Sequence, residues 1–150
     1  MEIYTDGSCT FNPGPGGWAA LCICNGSEIF KITGCDPSTT NNIMEMTAVI
    51  KALEKCRELE CKNITIYSDS KYVLNGINNW ITNWRKRGWK TSNGCDVKNR
   101  ELWIIMDNLV RDFSITWKWV KGHSGNIYNE EVDKMARNSA LSILSDNKNS

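Results

Sequence analysis

An aspartate stands in the middle of an otherwise strand-forming run, Ile3-Tyr4-Thr5-Asp6-Gly7-Ser8-Cys9, just ahead of Asn12-Pro13-Gly14-Pro15-Gly16-Gly17. Tyr4 and Asp6 are two residues apart, so their side chains leave the same face of a strand. Asp and Gly are both depleted in strands, because neither fills nor stiffens a half-buried surface. Two readings follow: a strand that ends at Asp6 and turns, or a carboxylate held on a rigid element for a metal ion or a proton. The rest of the chain decides between them.

The 150 residues suit one domain, expected over 1–144 and followed by a polar tail over 145–150. The hydrophobic fraction of 41% and charged fraction of 23% are those of an ordinary globular protein. No stretch approaches the roughly 18 apolar residues of a membrane span. Met1-Glu2-Ile3-Tyr4 runs straight into a strand without a basic or apolar leader, so a cytoplasmic location is expected. The seven cysteines are odd in number and lack any Cys-x-x-Cys pair or neighbouring His, which excludes zinc spacing. They read as buried, reduced thiols. The net charge of +1 conceals an uneven distribution. Between Ser70 and Cys95 lie Lys71, Arg85, Lys86, Arg87 and Lys90 with no acid, a local stripe suited to a polyanion.

Trp18–Cys24 and Glu28–Gly34 read as a hairpin closed by Asn25-Gly26. The polar run from Asp36 to Asn42 supplies turn and cap residues. Ala48, Val49, Ala52, Leu53 and Cys56 recur at helical spacing between Asn42 and Glu58. Ile64–Tyr67 is a fourth strand ending at Ser68-Asp69-Ser70. Short helices are expected over Tyr72–Ile77 and Trp80–Lys86, then a loop over 88–94. A helix over Asn99–Arg111, a fifth strand over Ser114–Val120 and a last helix over Tyr128–Leu144 complete the chain. This order predicts an α/β protein: an antiparallel meander of three strands, then crossovers that bring the fourth and fifth strands parallel to the first, with helices on both faces. Ligands gather outside the carboxyl ends of such parallel strands. Asp6 ends the first strand in this reading and Asp69 the fourth, so both point at one sheet edge.

Three further acids have bland explanations when taken singly. Glu45 precedes Ala48 and Val49 by three and four residues, so it shares the packing face of its helix, although the helix dipole also favours an acid near an N-terminus. Asp69 lies between serines and could simply cap the following helix. Asp133 shares its helix with Val132, Met135 and Ala136 and could be one more exposed acid. Together with Asp6 they are a different matter. Four carboxylates at one edge repel and raise one another's pKa values, so a cation must compensate them. Hard oxygen ligands in this number suit magnesium or manganese, and two such ions about 3.5–4 Å apart would clamp both oxygens of an in-line phosphoryl displacement.

Thr5-Asp6-Gly7-Ser8-Cys9 with Asn12-Pro13-Gly14-Pro15-Gly16-Gly17, Thr40-Asn41-Asn42-Ile43-Met44-Glu45, Ser68-Asp69-Ser70-Lys71-Tyr72-Val73, Trp119-Val120-Lys121-Gly122-His123-Ser124-Gly125 and Asn129-Glu130-Glu131-Val132-Asp133 occur in this order across the whole chain. The set resembles type 1 ribonuclease H of the bacterial kind. The resemblance implies the ribonuclease H-like fold and an endonuclease that hydrolyses the RNA strand of RNA–DNA hybrids, leaving 5′-phosphate and 3′-hydroxyl ends. It places the metal-binding carboxylates on Asp6, Glu45, Asp69 and Asp133, holding two Mg2+ ions that Mn2+ could replace. His123, whose bland reading is a surface loop histidine, would assist proton movement or product release from a loop freed by Gly122 and Gly125.

The basic stripe resembles the family's handle, expected over 80–94. Tyr72, Trp80 and Trp84 would line a channel for the DNA strand, with Arg85, Lys86 and Arg87 on phosphates. Thr40 and Asn99 would bind a DNA phosphate, while Asn12, Asn41 and the glycine-rich backbone read ribose 2′-hydroxyls, the groups that distinguish RNA from DNA. Asn129 joins the substrate-binding set. Trp80 and Trp84, four residues apart, have a second reading as packing residues. Family members often carry Arg near Ser38 or at Ile43, and this chain has neither. No membrane, obligate protein partner or oligomer is implied, and a monomer is expected. Two rival readings remain at this level: a non-catalytic nucleic-acid-binding module, and another nuclease or strand-transfer enzyme on the same fold.

Overall fold

The computed structural model describes residues 1–121 and 126–148, with side chains through residue 143. Five strands, β1 (Glu2–Cys9), β2 (Gly14–Cys24), β3 (Ser27–Thr39), β4 (Asn63–Ser68) and β5 (Ser114–Trp119), form one sheet in the order β3-β2-β1-β4-β5. The first three are an antiparallel meander, and β4 and β5 run parallel to β1, as the element order predicts.

Alternation along the strands gives each face its own core. Ile3, Ala20, Cys22 and Ile66 are buried beneath α1 (Asn41–Glu58), whose Met46, Val49, Ala52, Leu53 and Cys56 lie against them. Tyr4, Ala19, Leu21 and Ile23 face the other way, onto Val132 and Ala136 of the C-terminal helix. Between β4 and β5 the chain forms α2 (Lys71–Asn75), a π-helical turn (Gly76–Trp80), α3 (Ile81–Lys86) and α4 (Arg100–Val110). The C-terminal helix, α5, spans Ile127–Lys148. Among the described residues no helix is long and apolar enough to cross a membrane.

Four expectations are corrected. Strand β1 does not end at Asp6 but continues to Cys9, because β2 begins already at Gly14 and pairs with it as far as Cys9–Gly16. The polar run Asp36–Thr39 is strand rather than turn, since Gly14 and Gly16 offer Thr39 and Asp36 partners; pairing overrides weak local propensity. The two short helices expected over Tyr72–Ile77 and Trp80–Lys86 join through the π-helical turn into one helical stretch. There Gly76 lies so close to Trp103 that a Cβ would overlap the indole. The last helix passes Leu144 and reaches Lys148. All seven cysteines are free as expected, but only Cys22 and Cys56 are buried, and Cys35 and Cys95 are exposed.

One detail of register shapes the site. The parallel pairing of β1 with β4 ends at Tyr4 opposite Tyr67. Beyond it β1 stays with β2, while β4 stops at Ser68. The two neighbours part, and the gap opens beside Asp6 and Asp69.

Candidate active site

Asp6 is fixed by strand pairing with Ala19 and is only 3% exposed. The next residue faces α1. A Cβ on Gly7 would collide with the backbone of Met44 and Glu45, so glycine there lets α1 approach and brings Glu45 against Asp6. Asp69 follows the last residue of β4. One carboxylate oxygen from each of Asp6, Glu45 and Asp69 lies within 4.8 Å of the others. Asp133, on α5, lines the same cavity of about 400 Å3.

Local structure disposes of the bland readings. Glu45 lies beyond the first turn of α1, whose N-cap is Thr40 and whose first turn carries no acid. The cap of α2 is Ser70, with its hydroxyl accepting from the Val73 N–H at 3.2 Å, so Asp69 is not used for capping. Asp133 is 21% exposed and paired with Arg137, Oδ2 to Nη2, at 3.0 Å.

The electrostatics follow from this crowding. Burial, reinforced by the charge of Asp69, pushes the Asp6 carboxyl up to about 8. Glu45 is held well above its ordinary range by burial and by the charges of Asp6 and Asp69. Among the described residues, three buried side-chain oxygens lack a hydrogen-bond partner, and two belong to this cluster: Glu45 Oε2 and Asp69 Oδ1. The third is Thr39 Oγ1. Leaving a buried acceptor unmatched is costly, and hard anionic oxygens at this spacing are the donor set that Mg2+ or Mn2+ takes. The residues fit such an ion.

The other predicted residues have mixed placements. Tyr72, Trp80, Trp84 and Trp103 form one chain of rings with neighbouring centroids 5.4–5.8 Å apart. Trp84 packs on buried Trp103, while Trp80 is 37% exposed, so packing and surface display are divided between the two. Asn99, in left-handed conformation ahead of α4, donates to the Tyr72 hydroxyl at 3.1 Å, as does the Trp103 indole N–H. Thr40 caps α1 through the Ile43 N–H. The side-chain carbonyls of Asn12 and Asn41 accept from the backbone N–H groups of Asn41 and Cys9, which leaves amide N–H groups to face a ligand. Asn129 is buried in the first turn of α5. His123, with Gly122 and Gly125, lies outside the described residues.

Arg85 differs from its handle neighbours. Its Nε and Nη2 embrace Asp107, which is buried on α4, with contacts of 2.6–3.1 Å. Arg111 adds a third arm at 3.2 Å. Lys86 and Arg87 are exposed. The sequence reading missed Asp107, Gly7 and Arg137. The last was legible as an i,i+4 pair with Asp133, whereas the other two depend on tertiary contacts.

Comparison with known proteins agrees with this architecture. The RNase H family model matches residues 1–141. The chain belongs to the ribonuclease H family. It is 51% identical to ribonuclease H of Wolbachia sp. subsp. Drosophila simulans, covering 94% of this chain and 95% of that one. It is 48% identical to ribonuclease H of Pseudomonas fluorescens over 91% of this chain and 89% of the relative. These matches are consistent with the type 1 bacterial branch. Among solved structures, LC9-RNase H1, a type 1 RNase H with the type 2 active-site motif, superposes with a TM-score of 0.83 at 30% identity, over 94% of this chain and 72% of that one. LC11-RNase H1 in complex with an RNA/DNA hybrid shares the fold, with a TM-score of 0.75 at 18% identity, over 95% and 98% of the two chains.

Two predictions arise here. Because the bidentate pair anchors the handle on α4, Arg85→Ala should cost about 1–3 kcal/mol in urea unfolding, while Lys86→Ala and Arg87→Ala stay within about 0.5 kcal/mol of wild type. Equal small effects for all three would contradict the anchor.

The second concerns pH. Without a cation, folded Asp6 keeps a proton up to about 8, whereas the unfolded chain releases it near the ordinary 3.8. The folded state then binds more protons throughout that window, so this group makes stability fall as pH rises through it. In EDTA, Asp6→Asn should match wild type near the lower end and become progressively more stable toward the upper. A gap that does not change with pH would contradict the crowding.

Proposed function

We propose that Asp6, Glu45, Asp69 and Asp133 form the catalytic centre at which this member of the ribonuclease H family hydrolyses the RNA strand of RNA–DNA hybrids. The observation that carries the assignment is the pair of buried, unmatched oxygens, Glu45 Oε2 and Asp69 Oδ1, within a crowded carboxylate cluster. Such a cluster favours a bound cation over bare charge. Magnesium, or manganese in its place, would supply Lewis-acid stabilisation of the attacking and leaving oxygens of the phosphodiester.

The protein's own groups divide the remaining work. Asp6 contributes a carboxylate that cannot drift, because both neighbours in β1 are held by pairing with β2. Glu45 and Asp69 close the triad from α1 and from the end of β4, and Asp133 joins from α5. The amide N–H groups of Asn12 and Asn41 offer donors to ribose 2′-hydroxyls on the RNA side. On the DNA side, the ring chain from Tyr72 to Trp84 offers apolar faces for sugars, and Lys86 and Arg87 offer charge for phosphates. His123 would move a proton or help product leave. We place the protein in the cytoplasm, a reading supported by seven unpaired cysteines, which suit a reducing compartment, and take it to act as a monomer.

The test is cleavage of labelled RNA in an RNA–DNA hybrid with Mg2+, beside single-stranded RNA, duplex RNA and duplex DNA. Asp6→Asn should abolish cleavage while the folded protein still binds hybrid. Retention of more than about a tenth of the wild-type rate, a barrier change under about 1.4 kcal/mol, would overturn the assignment.

A further inference from the structure

The four carboxylates are not equally available. Asp6, Glu45 and Asp69 are gathered within 4.8 Å, whereas Asp133 stands outside that group with its Oδ2 held at 3.0 Å by Arg137, one helical turn further along α5. Arg137 is 58% exposed at its side chain, so nothing in the core requires it. It also lines a shallow cavity of about 190 Å3 with Ser8 and Thr10, at the end of the strand that carries Asp6. The guanidinium therefore has polar neighbours to turn toward on leaving Asp133.

We propose that Arg137 is a built-in competitor for Asp133: its guanidinium occupies the carboxylate until a divalent cation displaces it, and so weakens cation binding on the Asp133 side of the site. The inference rests on the reading of these carboxylates as metal ligands. Two physical effects act in the same direction. A carboxylate oxygen already accepting a charge-assisted hydrogen bond is a poorer ligand until that bond is broken. A fixed positive charge beside the ligand also repels the incoming cation. A role limited to holding Asp133 in place has the opposite sign, since removing a positioning residue loosens the ligand and weakens binding.

The test uses the whole protein and Mn2+ as probe, with free ion counted by electron paramagnetic resonance in the absence of nucleic acid. Arg137→Gln should tighten the weakest measurable Mn2+ affinity by about two- to fivefold, the range an exposed ion pair commands. The Mg2+ concentration for half-maximal hybrid cleavage should fall by a similar factor. Arg137→Lys should lie between the two proteins, because the charge remains but the planar fork is lost. The difference should narrow at high salt, which screens exposed charge. An unchanged or weakened affinity in either readout for Arg137→Gln overturns the proposal. Wild-type protein that takes up no Mn2+, or takes up as much after Asp6→Asn, overturns the metal reading itself and the proposal with it.

Discussion

Mutual repulsion among carboxylates that the backbone will not let separate is the constraint on which this site depends. Asp6 is pinned by the β1–β2 ladder, Glu45 by an α1 that glycine at position 7 allows to touch the strand, and Asp69 by the end of β4. Asp6 and Glu45 cannot retreat into solvent without breaking regular structure, and Asp69 is held in the short link between β4 and α2. The cluster therefore carries a standing cost that a proton or a cation relieves, and burial first, with this repulsion added to it, holds the protons of Asp6 and Glu45 above the usual carboxylate range. Strain of this kind is tolerated because two well-packed cores, one on each face of the sheet, hold the frame in place.

The fold creates the gap by a small mismatch in register. Strand β1 has two partners at its start and loses β4 after Tyr4. An aspartate placed two residues later sits at the mouth of the opening, still braced on its other side by β2. The handle is fastened to the same frame by a different device, the bidentate contact of Arg85 with buried Asp107. All three of its adjacent cations are exposed, and one of them, Arg85, also ties the handle to a buried acid. The stripe of charge that looks uniform in sequence is thus divided between structure and surface.

Most of the architecture was legible in the sequence because periodicity reports directly on which face is buried. The Asn25-Gly26 hairpin, the α1 stripe and the parallel β4–β5 pair all follow from it. Asp6 and Glu45 stood out for the opposite reason, as acids where packing does not want them, whereas Asp69 and Asp133 drew notice only in their company. What escaped were contacts between segments distant in sequence. Asp36–Thr39 looks like a turn until Gly14–Gly16 is seen to pair with it. The anchoring contact of Arg85 with Asp107, 22 residues away, leaves no trace in the local sequence. Local propensity carries no record of either partner.

A divalent cation held by these carboxylates would compete with the protons of Asp6 and Glu45 for one site. Calorimetric titration of Mg2+ near neutral pH, in two buffers of different ionisation enthalpy, measures that exchange directly. Ligand carboxylates must ionise before they bind, so the account predicts net proton release on binding, and hence a heat that changes with the buffer. That dependence should weaken as the pH rises through the Asp6 value of about 8. A binding heat independent of buffer at neutral pH would contradict it, because the ion would then be going to carboxylates that were never protonated.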